Sequence, residues 1–150
     1  MTTSTPTKPN HALTNCKGQL EEIIDLHKRF NFDETDDEAR EDIEQLARDM
    51  ALDVCYRSQD WVEVGSAHPS FTGSSPKLEP TQGRILLSTG GPACQVICDL
   101  ENNWPSNPEI QWQDWGTPWT HTRIKTELGI DYDTANEALV WFINLFWWGE

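Results

Sequence analysis

Hydrophobic residues in the first third of the chain recur at spacings of three and four positions, which is typical of amphipathic helices. The first predicted helix ends near Phe30, and Thr14 or Asn15 is its expected N-cap. Its apolar stripe is formed by Leu20, Ile23, Ile24, Leu26 and Phe30.

The second helix is the best-marked element, because Thr35 and Glu38 have the spacing of a capping box. A short loop at residues 30–33 joins it to the first helix, so we expect an antiparallel helical hairpin over residues 13–57. Its apolar stripe consists of Ala39, Ile43, Leu46, Ala47, Met50 and Val54.

The pattern changes after residue 83, where apolar and polar residues begin to alternate as they do in half-buried strands. Gly90 and Gly91 predict a tight turn between the first two strands. The predicted strands cover residues 84–89, 93–100, 109–115 and, as an edge-like fourth, 119–124. Together they predict a three- to four-stranded antiparallel meander. The residues that share one face of the second strand are Cys94, Val96, Cys98 and Leu100.

A second capping box, Thr134 with Glu137, predicts a final helix that runs towards the aromatic end of the chain. Val140, Trp141 and Trp148 lie off its main apolar face, so this helix is apolar nearly all round and is expected to pack on the sheet. The main apolar face is formed by Leu139, Phe142, Ile143, Phe146 and Trp147. The predicted class is therefore α+β: an N-terminal helical hairpin, the meander, and a C-terminal helix packed on the sheet.

The length of 150 residues fits one domain, which we place at residues 13–150, with residues 1–12 as a flexible tail. The segment 65–83 is rich in Gly, Ser, Pro and Thr and predicts a long loop, while 84–150 holds the sheet and the last helix. The first ten residues carry no apolar core of a signal peptide, and no apolar run is long enough to cross a membrane. We therefore expect a cytoplasmic protein without a membrane partner.

The charge is strongly acidic, with 25 Asp and Glu against 11 Lys and Arg and a formal net charge of −14. Residues 20–53 contain 13 of the acidic and 4 of the basic residues, so the predicted hairpin carries most of the excess. This sign of charge argues against direct binding of nucleic acid, whose phosphates would be repelled. A basic protein is the partner that such a surface attracts.

The second helix offers a row of carboxylates that resembles a row of phosphates. If it is about 22 residues long, it spans roughly 33 Å and can present these groups to the basic cleft of a nucleic-acid-binding protein. The alternative is a solvated face that only keeps the protein in solution, and Arg40 and Arg48 interrupt the row. The partner-binding carboxylates predicted here are Glu38, Glu41, Asp42, Glu44 and Asp49.

Four tryptophans lie within sixteen residues: Trp104 in a predicted turn, and Trp112, Trp115 and Trp119 in the third and fourth predicted strands. Tryptophan is enriched at interface hot spots, so Trp104 and Trp115 are predicted to contact the partner. The alternative is that these indoles fill a core between sheet and helix, in which case Trp104 in its turn should still be partly exposed.

Little in the chain points to catalysis or to a cofactor. Cys16, Cys55, Cys94 and Cys98 form no CxxC pair, and they are predicted to be buried thiols without a bound metal. No hydrolase or metalloprotease motif is present, so no catalytic residue is assigned and an enzyme is not expected.

One acid–base arrangement stays open as an alternative. His121 next to Asp114 or Asp131 would provide a base and a carboxylate at the end of the sheet, as a small enzyme requires.

Three stretches resemble a known family. They are RILLSTGGPACQVICDL at 84–100, QWQDWGTPWT at 111–120 and FWWGE at 146–150. The pattern ILLxTGGPA, QDWGTPWT and a closing aromatic-Gly-Glu is similar to that of small acidic proteins of unassigned activity from bacterial plasmids, phages and integrative elements. The resemblance implies a passenger of a mobile genetic element, a class that often blocks host defence.

Charge and resemblance together predict an inhibitor of anti-CRISPR or antirestriction type. As a DNA mimic, it would bind the basic groove of a host defence enzyme through protein–protein interaction. The alternatives are a homo-oligomeric structural or interaction protein of the element, such as a homodimer through the Trp-rich C-terminus, or the small enzyme based on His121.

Overall fold

The computed structural model describes residues 11–32, 34–57, 61–63, 81–90, 92–115 and 117–148. Within these residues the helices are α1 (His11–Phe30), α2 (Asp37–Asp49), α3 (Ile124–Leu128) and α4 (Tyr132–Ile143). The strands are β1 (Asp53–Arg57), β2 (Trp61–Glu63), β3 (Gln82–Ser88), β4 (Ala93–Glu101), β5 (Trp104–Gln113) and β6 (Thr120–His121). None of the helices in this part of the chain has the length and apolar character needed to cross a bilayer.

The described strands form one antiparallel sheet in the order β2-β1-β3-β4-β5-β6, and the helices cover one of its faces. Helix α1 packs on β4 and β5, α4 packs on β5 and α1, and α2 packs on α1. The α+β class, the helical N-terminus, the meander and the packed C-terminal helix are confirmed. The core lies between α1, α4 and the sheet, and its largest side chains include Leu20, Ile23, Ile85, Val96, Ile110 and Phe142.

The predicted hairpin over 13–57 is wrong at both ends. Helix α1 begins at His11, where Ala12 is completely buried, so the predicted tail is shorter and residues 1–10 lie outside the described part. Helix α2 ends at Asp49, and residues 53–57 form strand β1 instead of continuing the helix. The reason is non-local: Leu52 N donates to Leu86 O at 2.7 Å, and Val54 then pairs with Ile85 of β3.

Aspartates, rather than the predicted capping boxes, cap the two amphipathic helices. Asp36 Oδ1 accepts from the Ala39 amide at 2.8 Å, while Thr35 Oγ1 donates to Arg29 O at 2.8 Å and closes the loop between α1 and α2. At α4, Asp131 Oδ2 accepts from the Thr134 amide at 3.0 Å. A carboxylate at this position also interacts favourably with the helix dipole, which explains the preference.

The meander matches the prediction closely in its centre and less well at its ends. In β4, Cys94, Val96, Cys98 and Leu100 are all buried on the helix-covered face, as the alternation predicts. The third strand begins at Trp104 rather than Glu109, because Asn102 and Asn103 form the hairpin turn with φ of 52° and 67°. This left-handed backbone is one that asparagine tolerates better than most residues.

The last predicted strand and the last helix are both shorter than expected. Strand β6 is confined to residues 120–121, and Ile124 begins α3. Helix α4 ends at Ile143, and the chain then turns so that Trp148 is buried while Trp147 is 64% exposed. Most of the predicted 65–83 loop lies outside the described residues, and residues 82–83 belong to β3.

Candidate functional site

The carboxylates predicted on α2 lie mainly on its solvent face. Glu38, Glu41, Asp42 and Asp49 are exposed, whereas Glu44 is half-buried at the margin. Because successive helix residues are about 100° apart around the axis, the four exposed carboxylates fall within an arc of roughly 100° opposite buried Ile43. We call these four residues the acidic face of α2.

Within the described residues, no basic side chain neutralises the acidic face. None of its four carboxylates forms a salt bridge there. Of the two arginines that interrupt the row, Arg40 donates from Nε to Phe30 O at 3.3 Å and pairs with Asp37, outside the acidic face, at 3.7 Å; Arg48 Nε donates to Leu145 O at 3.1 Å. The charge of the acidic face is therefore available to a partner.

The acidic face is shorter than the sequence predicts. Helix α2 has 13 residues, so it spans about 20 Å rather than about 33 Å. From Glu38 to Asp49 the row covers roughly 17 Å, a length over which duplex DNA carries on the order of ten charges. The acidic face offers less than half that charge density, so it can occupy part of a basic groove but does not reproduce a duplex.

The two tryptophans predicted as partner contacts are both exposed but lie far apart. Trp104 is 73% and Trp115 is 79% exposed, which confirms that at least Trp104 reaches the surface. Trp104 begins β5, and Trp115 follows two residues after its end. At a rise near 3.3 Å per residue, β5 alone spans roughly 30 Å from Trp104 to Gln113, so the two tryptophans lie at opposite ends of the strand and do not form one cluster. Trp112 and Trp119 are half-buried, with Trp112 against the core.

An exposed apolar site appears instead at the C-terminal end of α2, where the sequence did not indicate one. A cavity of about 380 Å³ is lined there by Leu52, Phe146 and Trp147, together with Arg48 and Asp53. The sequence signal for this site is the aromatic run at 146–148. Which of these aromatic side chains is exposed depends on where α4 ends, and the run by itself does not fix that position.

His121 has a carboxylate partner, but not one of those predicted. Its Nδ1 contacts Oε1 of Glu109, whereas Asp131 caps α4 and Asp114 closes a turn. Because Nδ1 is held by a carboxylate, Nε2 is the nitrogen left to act as a base. The side chain of His121 is 63% exposed.

A chain of amides leads from this pair across the face of the sheet opposite the helices. Gln111 Nε2 donates to Glu109 Oε1 at 3.4 Å, and Gln95 Nε2 donates to Gln111 Oε1 at 2.7 Å. Gln95 is only 3% exposed, and its Oε1 has no hydrogen-bond partner among the described residues. A cavity of about 210 Å³ lies beside this chain, between Asp99, Glu109 and Gln111.

The described cysteines are free and buried, and a hydrogen bond with Cys94 lowers the pKa of Cys16. Burial raises the pKa of Cys98 to about 12, and a hydrogen bond with Cys16 together with burial raises the pKa of Cys94. These two thiols therefore stay protonated at neutral pH. Among the described residues, no three His, Cys, Asp or Glu side chains come together as metal ligands would.

The motif QDWGTPWT forms a turn closed by its own side chains. The Asp114 amide donates to Thr117 Oγ1 at 3.0 Å, and the Thr117 amide donates back to Asp114 O at 3.2 Å. Gln113 Nε2 adds a bond to Thr117 O at 3.0 Å. Asp114 and Thr117 of the motif therefore have a structural role in closing this turn, whereas the side chain of Trp115 is exposed.

Comparisons with protein-family models, curated proteins and solved structures found no match to this chain. The resemblance to mobile-element proteins therefore stays a prediction.

Proposed function

We propose that this chain is an inhibitor of anti-CRISPR or antirestriction type, which places the acidic face of α2 in the basic nucleic-acid groove of a host defence enzyme. The observation that carries the proposal is that Glu38, Glu41, Asp42 and Asp49 share one exposed helix face and are free of salt bridges within the described structure. On a chain with a net charge of −14, this face attracts a basic protein and repels nucleic acid.

Electrostatic attraction determines how such an inhibitor behaves. Glu38, Glu41 and Asp42 lie within about 6 Å of one another along the helix axis, which is less than the Debye length of about 8 Å at physiological salt, so these three charges act together on an approaching groove. We expect fast association that slows steeply as salt is added, and a dissociation rate that changes less.

A competition assay tests the proposal. A panel of CRISPR effectors and restriction enzymes is bound to labelled DNA, and the protein is added in excess. We expect the protein to displace DNA from at least one enzyme, and the triple variant Glu38→Gln, Glu41→Gln, Asp42→Asn to lose most of this activity. Displacement from no member of the panel would contradict the proposal.

A matched control separates the acidic face from net charge. The variant Glu101→Gln, Asp133→Asn, Glu137→Gln also removes three negative charges, but from exposed positions outside α2. It should compete nearly as well as the unaltered protein. Equal loss in both triple variants would mean that total charge, and not the face of α2, is responsible.

The pair of His121 and Glu109 supports a second candidate, a small enzyme in which His121 Nε2 takes up a proton. Hydrolysis of an activated ester such as p-nitrophenyl acetate tests it. We expect hydrolysis above the uncatalysed background, and we expect His121→Gln to abolish it. If His121→Gln hydrolyses the ester as fast as the unaltered protein, this candidate is excluded.

A further inference from the structure

The exposed apolar site at the end of α2 is unusual for so acidic a surface. Leu52 is 60% and Trp147 is 64% exposed, and both line the cavity of about 380 Å³ together with half-buried Phe146. Leu46, in the last turn of α2, is also 50% exposed. We call Leu52, Phe146 and Trp147 the apolar patch. Exposed patches of this kind commonly mark interaction sites.

The fold holds the apolar patch in place. Arg48 Nε donates to Leu145 O at 3.1 Å and thereby ties the end of α2 to the segment after α4. Trp148 is buried, and its Nε1 donates to Ile143 O at 2.9 Å, which anchors the residue next to Trp147. Because its neighbour is anchored, Trp147 projects outwards from a defined position. A rigid exposed indole gives up little conformational freedom on binding.

The acidic face and the apolar patch are continuous. Asp49, the last carboxylate of the acidic face, directly follows Arg48, and both Arg48 and Asp53 line the cavity. A segment that lies along the acidic face therefore reaches the apolar patch just beyond the C-terminal end of α2.

Charge decides what the apolar patch binds. A second copy would bring another net charge of −14 and a second acidic face against the first. An anionic membrane surface would be repelled in the same way. We propose that the apolar patch binds a bulky apolar side chain from a basic segment of the partner protein, whose lysines and arginines lie along the acidic face. This inference rests on the proposed function and specifies the segment of the partner protein that is bound.

Synthetic peptides are the probe. One peptide contains lysines interspersed with leucines, a second has serines in place of the leucines, and a third has glutamates in place of the lysines. Binding is measured by fluorescence anisotropy at physiological salt. We expect the leucine–lysine peptide to bind at least about tenfold more tightly than the serine peptide, as a hot-spot contact requires, and the glutamate peptide not to bind.

Two aromatic variants provide the comparison. Trp147→Ala should weaken binding of the leucine–lysine peptide by about tenfold and leave the serine peptide unchanged. Tyr132→Ala removes an aromatic side chain that is 56% exposed but lies elsewhere, at the start of α4, and it should change the binding of neither peptide. Far-UV circular dichroism and thermal melting check that both variants are folded.

Three results would overturn the inference. The serine peptide could bind as tightly as the leucine–lysine peptide, or Tyr132→Ala could have the same effect as Trp147→Ala. Sedimentation could also show a dimer that Trp147→Ala dissociates, in which case a second copy occupies the apolar patch. The DNA competition assay tests a separate claim. If it fails, the inhibitor function is contradicted, whereas the peptide results still show whether the apolar patch is a binding surface.

Discussion

Gly83 of β3 packs directly against the indole of Trp148 in the C-terminal segment. A Cβ atom at Gly83 would lie 2.5, 2.7 and 2.8 Å from three ring carbons of Trp148. The indole is 2% exposed and donates to Ile143 O at 2.9 Å, so it has no free space into which it can shift. We therefore predict that Gly83→Ala destabilises the protein.

The expected loss in the free energy of unfolding depends on how the clash between the new Cβ atom and the indole is relieved. Local overpacking costs about 1–3 kcal/mol, and expulsion of the indole, at about 3–5 kcal/mol, sets an upper limit. In a Trp148→Ala background the ring is absent, and alanine is then favoured over glycine within a strand by roughly 0.5–1 kcal/mol. The effect of Gly83→Ala should therefore change sign between the two backgrounds.

A double-mutant cycle measures this coupling. Urea unfolding is followed by far-UV circular dichroism, because removal of Trp148 changes the fluorescence signal, and the free energies of unfolding are extrapolated to water. Trp148→Leu serves as a milder background if Trp148→Ala leaves too little folded protein. If Gly83→Ala destabilises both backgrounds equally, the contact with Trp148 is not the cause and the reasoning is refuted.

Three further predictions concern stability and thiol reactivity. Hydrogen bonds from Thr134 lower the pKa of Asp131, so its stabilising effect is present above the unfolded pKa of about 3.9 and is lost as pH falls through the lower folded value. Asp131→Ala should lower the urea midpoint at pH 7 but not at pH 2, whereas Asp133→Ala should have little effect at either. Asn103 has a φ of 67°, so Asn103→Val should cost about 1–2 kcal/mol in urea unfolding and Asn103→Gly should not. The four free cysteines are buried, so a disulfide reagent should label fewer than one thiol quickly in the native protein and all four in urea; rapid native labelling would contradict their burial.

The elements that the sequence predicts best are those whose pattern is local. The alternation of Cys94, Val96 and Cys98 required one face of β4 to be buried, and the structure confirms it. Similarly, Ile43 and Ala47 are buried on α2 as their spacing predicts. In each case the side chains of a regular element follow its period, whatever the partner across the core is.

The errors occur where a distant segment competes with the local pattern. Val54 continues the helical period of α2, but pairing with Ile85 of β3 places it in a strand. The carboxylate next to His121 was sought at Asp114 and Asp131, which instead form local turn and cap hydrogen bonds. Glu109 reaches His121 because β6 pairs with β5 two residues further along the same face.

By itself, the amino-acid sequence determined the α+β class, the strong negative charge and its concentration in the N-terminal helices, since these depend on composition and on local periodicity. Only the tertiary structure decided that the acidic face is short, that its arginines bind backbone carbonyls, and that Trp147 is exposed while Trp148 is buried. These features arise from contacts between segments far apart in the chain, such as Arg48 with Leu145, and no local pattern encodes them.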